Sequence, residues 1–317
     1  MDRFLINVSL LLLSSMFCVL SSEWFLIFLT IEINSFSFSF FLLPKINSIV
    51  KYFLIQGVGS LFIIIRFFWR IFFMNNITSW LFLWVGCILK LASIPFFIWF
   101  PNLCINIRNV EMFFILSWQK LIPLWLTFLI NVSLLLLSSM FCVLSGGLFL
   151  LNNSIPRLLL VYSSLSFSGW LIIRSVLSSF ILMFSFFIYL VVIFILIKER
   201  FSIESMWFRL INYIRRKKIL IVLFSLGGIP PFLGFIPKWI ILLSFTVLRI
   251  FLVSILIVLS LLNIFCYLKI FSSILVSEIT KEEDSWVVIF LNVVPLMLLI
   301  FLLGPKIVGS YTNPKMI

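Results

Sequence analysis

Runs of about twenty apolar residues follow one another from Phe4 to Leu303, and each is long enough to cross ~30 Å of hydrocarbon as a helix. That pattern removes most alternatives. A soluble chain of 317 residues would need several times the 10% of charged residues found here to cover its surface. The mean hydropathy of +1.31 points the same way. No polar stretch is long enough for a soluble domain, so residues 1–317 read as a single membrane domain. The chain turns apolar at Phe4, straight after Met1-Asp2-Arg3. That is unlike a transit peptide, or a signal peptide leading into a polar domain, and the first span is expected to be retained.

The expected fold is all-α, a polytopic membrane protein of about eleven transmembrane helices by window hydropathy. The spans fall at roughly 4–22, 24–43, 49–73, 79–101, 111–129, 131–150, 155–174, 176–197, 219–247, 250–270 and 286–303. Trp24, Trp80, Trp239 and Trp286 lie near span ends, as an interfacial aromatic belt would place them. Two segments are polar. Residues 198–218 carry seven basic side chains with Met206, Trp207, Leu210 and Ile211 between them, a composition suited to lying flat on a membrane surface. Residues 277–285 form an acidic, solvated loop.

Charge sets orientation. The net charge is +13, from 23 Lys+Arg against 10 Asp+Glu. On a soluble protein that excess would suggest nucleic acid. Here it sits in short loops, where topology signals and contacts with anionic phospholipids, cardiolipin included, account for it, and no nucleic-acid partner is expected. With the amino terminus and alternate loops on one side, that side collects Arg3, Lys45, Lys51, Arg108, Arg157, the 198–218 cluster, Lys269 and Lys281. The other side has Arg66, Arg70, Arg174, Arg249, Lys306 and Lys315. The amino terminus is therefore expected in the matrix or cytoplasm. Five cysteines without CxxC spacing, and no histidine, make a bound metal or cluster unexpected.

Residues 4–21, FLINVSLLLLSSMFCVLS, recur unchanged at 128–145. Ancient transporter repeats keep the fold and lose the letters, so identity points to a recent duplication or an error in the sequence.

Four ionisable residues lie within spans: Glu32, Lys90, Lys120 and Lys238. A charge at the bilayer centre costs ~2.5–3.5 kcal/mol on insertion scales. Snorkelling is the ordinary explanation, but Lys90 lies about eleven residues from either end of its span, roughly 16 Å of helix. A lysine stem recovers about one turn of that. Snorkelling fails for Lys90, fails mostly for Lys120 and Glu32, and stays open for Lys238 nearer its span end. Lysine suits proton transfer because burial and neighbouring charges readily change its hold on a proton. Glu32 is expected to pair with Lys90 across neighbouring helices.

Two of these spans are interrupted. Pro95 follows Lys90 and Pro101 closes that segment, while Gly227, Gly228, Pro230, Pro231, Gly234 and Pro237 precede Lys238. Proline removes a donor and clashes with the preceding turn, so both helices should break. They are the fourth span of each consecutive set of five, the signature of antiporter-like inverted repeats with two broken helices. A polar patch, Tyr162, Ser163 and Ser164 with Ser166 and Ser168, reads equally as a water path or as small-residue helix packing.

The stretches EWFLIFLTIEINSFSF at 23–38, KLASIPFFIWFP at 90–101, SWQKLIPL at 117–124, RLLLVYSSLSFSGW at 157–170 and GGIPPFLGFIPKW at 227–239 resemble the NADH-ubiquinone oxidoreductase chain 2 family. These are the antiporter-like membrane subunits of respiratory complex I. The resemblance implies a non-redox subunit of a proton-pumping enzyme of the mitochondrial inner membrane. The flavin, iron–sulfur clusters and quinone would belong to partner subunits. Neighbouring chains 4 and 4L, accessory subunits and phospholipids are the implied partners. Carried over, Glu32 is the acid of the first proton half-channel, Lys90 its switching lysine, Lys120 the connecting lysine and Lys238 the exit-side lysine. The sequence departs from the family at Phe97 and Phe167, where histidine is usual, and at Leu158, where a lysine commonly follows Arg157. Two alternatives remain: a spacer subunit that no longer pumps, and a stand-alone cation/proton antiporter, which would not co-purify with an NADH-oxidising assembly.

Overall fold

The computed structural model describes residues 2–42, 46–73, 76–153, 155–175, 179–198, 213–230, 232–246 and 250–276. These residues are helical almost throughout. In order they form α1 (Asp2–Leu20), α2 (Trp24–Phe41), α3 (Ile46–Phe73), α4 (Asn76–Leu91), α5 (Trp99–Asn106), α6 (Asn109–Leu116), α7 (Leu121–Leu126), α8 (Val132–Asn152), α9 (Pro156–Ser175), α10 (Ser179–Lys198), α11 (Tyr213–Gly227), α12 (Phe235–Thr246) and α13 (Ile250–Val276). Among the described residues six segments are long and apolar enough to cross a membrane: Trp24–Phe41, Asn47–Phe72, Asn109–Leu129, Val132–Asn152, Pro156–Ile173 and Ser179–Lys198. Shorter apolar helices cover Leu5–Leu20, Thr78–Leu91 and Ser254–Lys269.

The arrangement is built for an apolar solvent. Large hydrophobic side chains such as Phe17, Leu54 and Phe187 face outward, while serines, asparagines and three lysines are buried. α9 is the centre, buried along almost its whole length. Its serine hydroxyls bond back to carbonyls of the same helix, which lets it sit at the core, and its small residues let a neighbour come close. A Cβ added to Gly146 of α8 would lie 2.7 Å from the Ser166 backbone nitrogen, and one on Gly169 would lie 2.8 Å from the Ser139 carbonyl. α3 and α4 meet the same way, since a Cβ on Gly86 would lie 2.8 Å from the Gly59 carbonyl. Close backbone contact of this kind is what holds helices together where lipid offers no hydrophobic drive.

Several expected boundaries move. The stretch 79–101 is not one helix: α4 stops at Leu91 and α5 starts at Trp99. Pro101 does not close the segment but lies in the first turn of α5, and Pro237 likewise lies in the first turn of α12. A helix needs no N–H there, so neither proline interrupts. Span 111–129 is also divided, running as α6, a 3-10 turn at Trp118–Lys120, α7, and a second 3-10 turn at Thr127–Leu129. The first division comes at Ser117, whose φ −116° and ψ −82° lie outside helix geometry, and beyond it Pro123 has no N–H to meet the Gln119 carbonyl. Of the basic segment, Lys198 ends α10 and residues 213–218 open α11. Residues 199–212, the loop at 277–285, the span at 286–303 and Pro231 lie outside the described residues.

Candidate functional site

Both chain interruptions are made by one kind of turn. α4 ends with Ala92 in the left-handed region, φ 53°. The Ala92 N–H reaches the Leu89 carbonyl at 3.2 Å and the Ser93 N–H reaches Ile88 at 3.0 Å. α11 ends with Gly228 at φ 77°. Its N–H reaches Ser225 at 3.1 Å, and the Ile229 N–H reaches Phe224 at 3.2 Å. These are the paired bonds of a Schellman cap. The match continues, because Phe96 bonds back to Ser93 and Phe232 to Ile229, both at 2.9 Å. Helix then resumes at Trp99 and at Phe235. Pro95 and Pro230 lie within these turns. The lysines are not equivalent: Lys90 precedes its turn, whereas Lys238 follows.

Glu32 and Lys90 do not form the expected ion pair. Both instead reach α3, which packs between their helices. The Ser60 hydroxyl is hydrogen-bonded to the Glu32 carboxylate and lies 2.8 Å from the carbonyl of Gly57. The Lys90 ammonium donates to the Gln56 carbonyl at 2.9 Å. In a helix that same carbonyl accepts the Ser60 N–H, so acid and lysine meet on adjacent groups of one turn. The Lys90 stem passes over Gly59, where a Cβ would lie 3.0 Å from its Cγ.

Lys120 and Lys238 are each 2% exposed. Lys120 ends the first 3-10 turn and donates to the Ser164 carbonyl of α9 at 3.0 Å, with its ammonium 5.6 Å from the Phe100 ring centre. Lys238 folds back across its turn onto the carbonyls of Leu226 and Gly227 at the end of α11. Its ammonium lies 5.8 Å from the centre of the Trp170 ring. This is not a snorkelling geometry; the cation caps a helix C-terminus, where the helix dipole favours it. All three lysines thus bond backbone carbonyls of other elements.

The polar patch divides by residue. The hydroxyls of Ser163, Ser164, Ser166 and Ser168 all donate to carbonyls three residues back in α9. Ser166 lies in the close contact with Gly146, whereas Ser164 faces Lys120 through its carbonyl. Tyr162 stacks on Phe149, 5.3 Å between ring centres, and Phe149 meets Phe97 at 5.1 Å. Phe167 stacks on Tyr189 at 4.4 Å.

Sequence reasoning missed several members. Gln119 donates to Asn34 at 2.8 Å and accepts from the Tyr52 hydroxyl at 3.1 Å. Arg66, counted only among the charges of the second side, is 5% exposed inside α3 with its guanidinium 4.3 Å from the Trp24 ring centre. Glu111 is buried, joining Arg108 in a capping box and an ion pair of 2.7 Å.

Known proteins bear on this arrangement. No protein-family model matches the sequence. The NADH-ubiquinone oxidoreductase chain 2 of Sylvisorex johnstoni is 30% identical over 278 residues, covering 80% of each chain. The chain belongs to the NADH-ubiquinone oxidoreductase chain 2 family. Its likeness to chain 2 proteins is long and reaches distant animals. The protein of Sylvisorex lunaris is 28% identical over 91% of both chains. That of Anopheles gambiae is 27% identical over 87% of this chain and 86% of its own. Among solved structures, a chain of the Mrp complex from Dietzia sp. superposes with TM-score 0.71 at 14% identity, over 84% of this chain and 59% of that one. The fold of the chain 2 family member described here is therefore shared with Mrp, and at that identity only the fold is.

Proposed function

We propose that this chain is a proton-translocating, non-redox membrane subunit of respiratory complex I, coupled to electron transfer from NADH to ubiquinone in other subunits. It lies in the mitochondrial inner membrane as one domain with its amino terminus in the matrix. Flavin, iron–sulfur clusters and quinone belong to partner chains. Its neighbours are the antiporter-like chain 4, the small chain 4L and accessory subunits, with phospholipids including cardiolipin between them. The path runs along Glu32, Lys90, Lys120 and Lys238, with the two turns at Pro95 and Pro230 as the interruptions of an antiporter-like inverted repeat. Irregular backbone at membrane depth survives only when buried or facing water, and lysines placed beside it have both room and polar neighbours.

The observation that carries this reading is the set of three buried lysines whose ammonium groups each rest on a backbone carbonyl of another element. A carbonyl bonds a charged lysine but does not fix it in that state as a carboxylate would. Such a lysine can release its proton. Lys90→Met in the assembled complex is expected to keep NADH oxidation and lower the proton-to-electron ratio. An unchanged ratio would remove Lys90 from the path.

One observation favours a second reading, the non-pumping spacer. Phe97 and Phe167 offer no proton-carrying atoms and are packed into aromatic contacts with Phe149 and Tyr189. On that reading the same Lys90→Met measurement shows no change, so one experiment separates the two.

A further inference from the structure

Four-residue spacing on α3 brings the separate parts of the site onto one face. Tyr52, Gln56 and Ser60 follow at successive turns, about 12 Å from first to last at 1.5 Å per residue. All three are buried, at 0%, 6% and 1% exposure. Each meets a different group: Ser60 meets Glu32, the Gln56 carbonyl meets Lys90, and Tyr52 meets Gln119, the residue beside Lys120. Gln119 also binds Asn34, two residues beyond Glu32 on α2. Asn34 is 2% exposed.

The turn that carries Lys120 needs such support. Ser117 stands at φ −116°, ψ −82°, outside helix geometry, and Pro123 cannot donate to the Gln119 carbonyl. Residues 117–120 are therefore not fixed by a continuous helix ladder. The Gln119 side chain replaces those bonds with two of its own, one to α3 and one to α2.

Resting on the proposed proton path, we infer that Gln119, clasped by Tyr52 and Asn34, is a positioning residue that couples the Glu32–Lys90 pair to Lys120. Its amide neither gains nor loses a proton, so its part is geometric. It holds the Lys120 turn against α2, which carries Glu32, and α3, whose Gln56 carbonyl takes the Lys90 ammonium, and a shift in either helix is passed to Lys120 through the clasp. The Tyr52 hydroxyl and the Asn34 amide are buried in apolar surroundings, where a polar group costs free energy unless bonded, and half-buried Gln119 supplies a partner to each.

The test uses the assembled complex carrying Gln119→Met, Tyr52→Phe, the double variant, and Lys120→Met and Lys90→Met beside them. Tyr52→Phe removes one hydroxyl and keeps the ring contacts with Phe38 and Trp99, so it serves even where Gln119→Met assembles poorly. The proton-to-electron ratio is read across a range of pH, together with the amount assembled. The clasp predicts that Tyr52→Phe and Gln119→Met lower the ratio toward that of Lys120→Met, and that the double variant is no worse than Gln119→Met alone, as for two ends of one bond. Lower assembly with an unchanged ratio would make the clasp merely structural and overturn the inference. A ratio lowered by Lys120→Met but not by Tyr52→Phe or Gln119→Met would also overturn it, with the proton path intact. An unchanged ratio in both lysine variants would instead bring down the path itself, and the clasp with it.

Discussion

At residue scale the two turns share a geometry but differ in the residue at the left-handed position. Ala92 occupies φ 53° and Gly228 φ 77°. A Cβ in this region costs roughly 1–2 kcal/mol, and glycine gives back about 0.5–1 of that through its freer unfolded chain. Ala92→Gly should therefore change thermal stability little. Gly228→Ala is a different case. Besides the strain, the new Cβ would lie 2.7 Å from the Lys238 Cδ and 2.8 Å from its ammonium. The lysine must leave its carbonyls or the turn must open. We expect a drop in melting temperature of several degrees for Gly228→Ala and next to none for Ala92→Gly, measured on the complex in detergent. Equal effects would mean that Lys238 does not pack as described. This asymmetry was hidden in the sequence. The prolines announced that the chain would break, but not that an alanine would take the position usually left to glycine.

Among the elements, α1 and α8 show what letters alone decide and what they leave open. The segment FLINVS is continuous helix at 4–9, yet at 128–133 it closes a 3-10 turn, passes through extended Ile130 and caps α8 with Asn131. Asn131 accepts from the Ser133 N–H at 3.2 Å. The chain must turn there because α7 has just ended, whereas Asn7 has helix on both sides. Downstream the copies agree more closely: Leu11, Ser14, Ser15 and Cys18 are buried, and so are Leu135, Ser138, Ser139 and Cys142. α8 additionally buries Leu136, whose counterpart Leu12 is 39% exposed, since α8 packs on α9 and α13 as well. Glycines allow this. Gly146→Ala would place a Cβ against Ser166 backbone atoms, which cannot rotate away, and should lower stability by at least ~1 kcal/mol. Gly57→Ala on α3 meets nothing within 4 Å and should be neutral or gain up to ~1 kcal/mol from helix propensity. Parallel thermal melts of the two variants test the packing. Apolar length and period made these helices legible. Which ones pack at the centre depended on small residues whose partners lie far away in sequence.

On the scale of the whole molecule, the sequence revealed which charges are buried better than it revealed what they touch. Lys90 and Lys120 were readable because a lysine far from a span end stands out against lipid, whereas Lys238, nearer its span end, stayed open to snorkelling. The α3 face that links them was not, since a tyrosine, a glutamine and a serine in a long apolar run look like ordinary variation until their neighbours are known. Orientation is the remaining global property, and the proposed one rests on the positive-inside bias of the loops. Arg157, at the start of α9, bonds the carbonyls of Ile105 and Ile107 beside Arg108, so these two basic loops share one end of the bundle. The turn between α1 and α2, at Ser21–Glu23, belongs to the opposite end, because α1 and α2 each cross once. All five native cysteines are buried, which leaves little background for a membrane-impermeant thiol reagent. A cysteine placed at exposed Asn152, the last residue of α8, should be unreactive in mitoplasts and reactive in inverted membranes. A cysteine at exposed Ser22 should behave the opposite way. Both bias and reagent read the same sidedness, but independently: one counts loop charge, the other measures access. Reaction of the position 152 variant from the intermembrane side would turn the whole molecule over, and with it the direction assigned to the Glu32–Lys238 path.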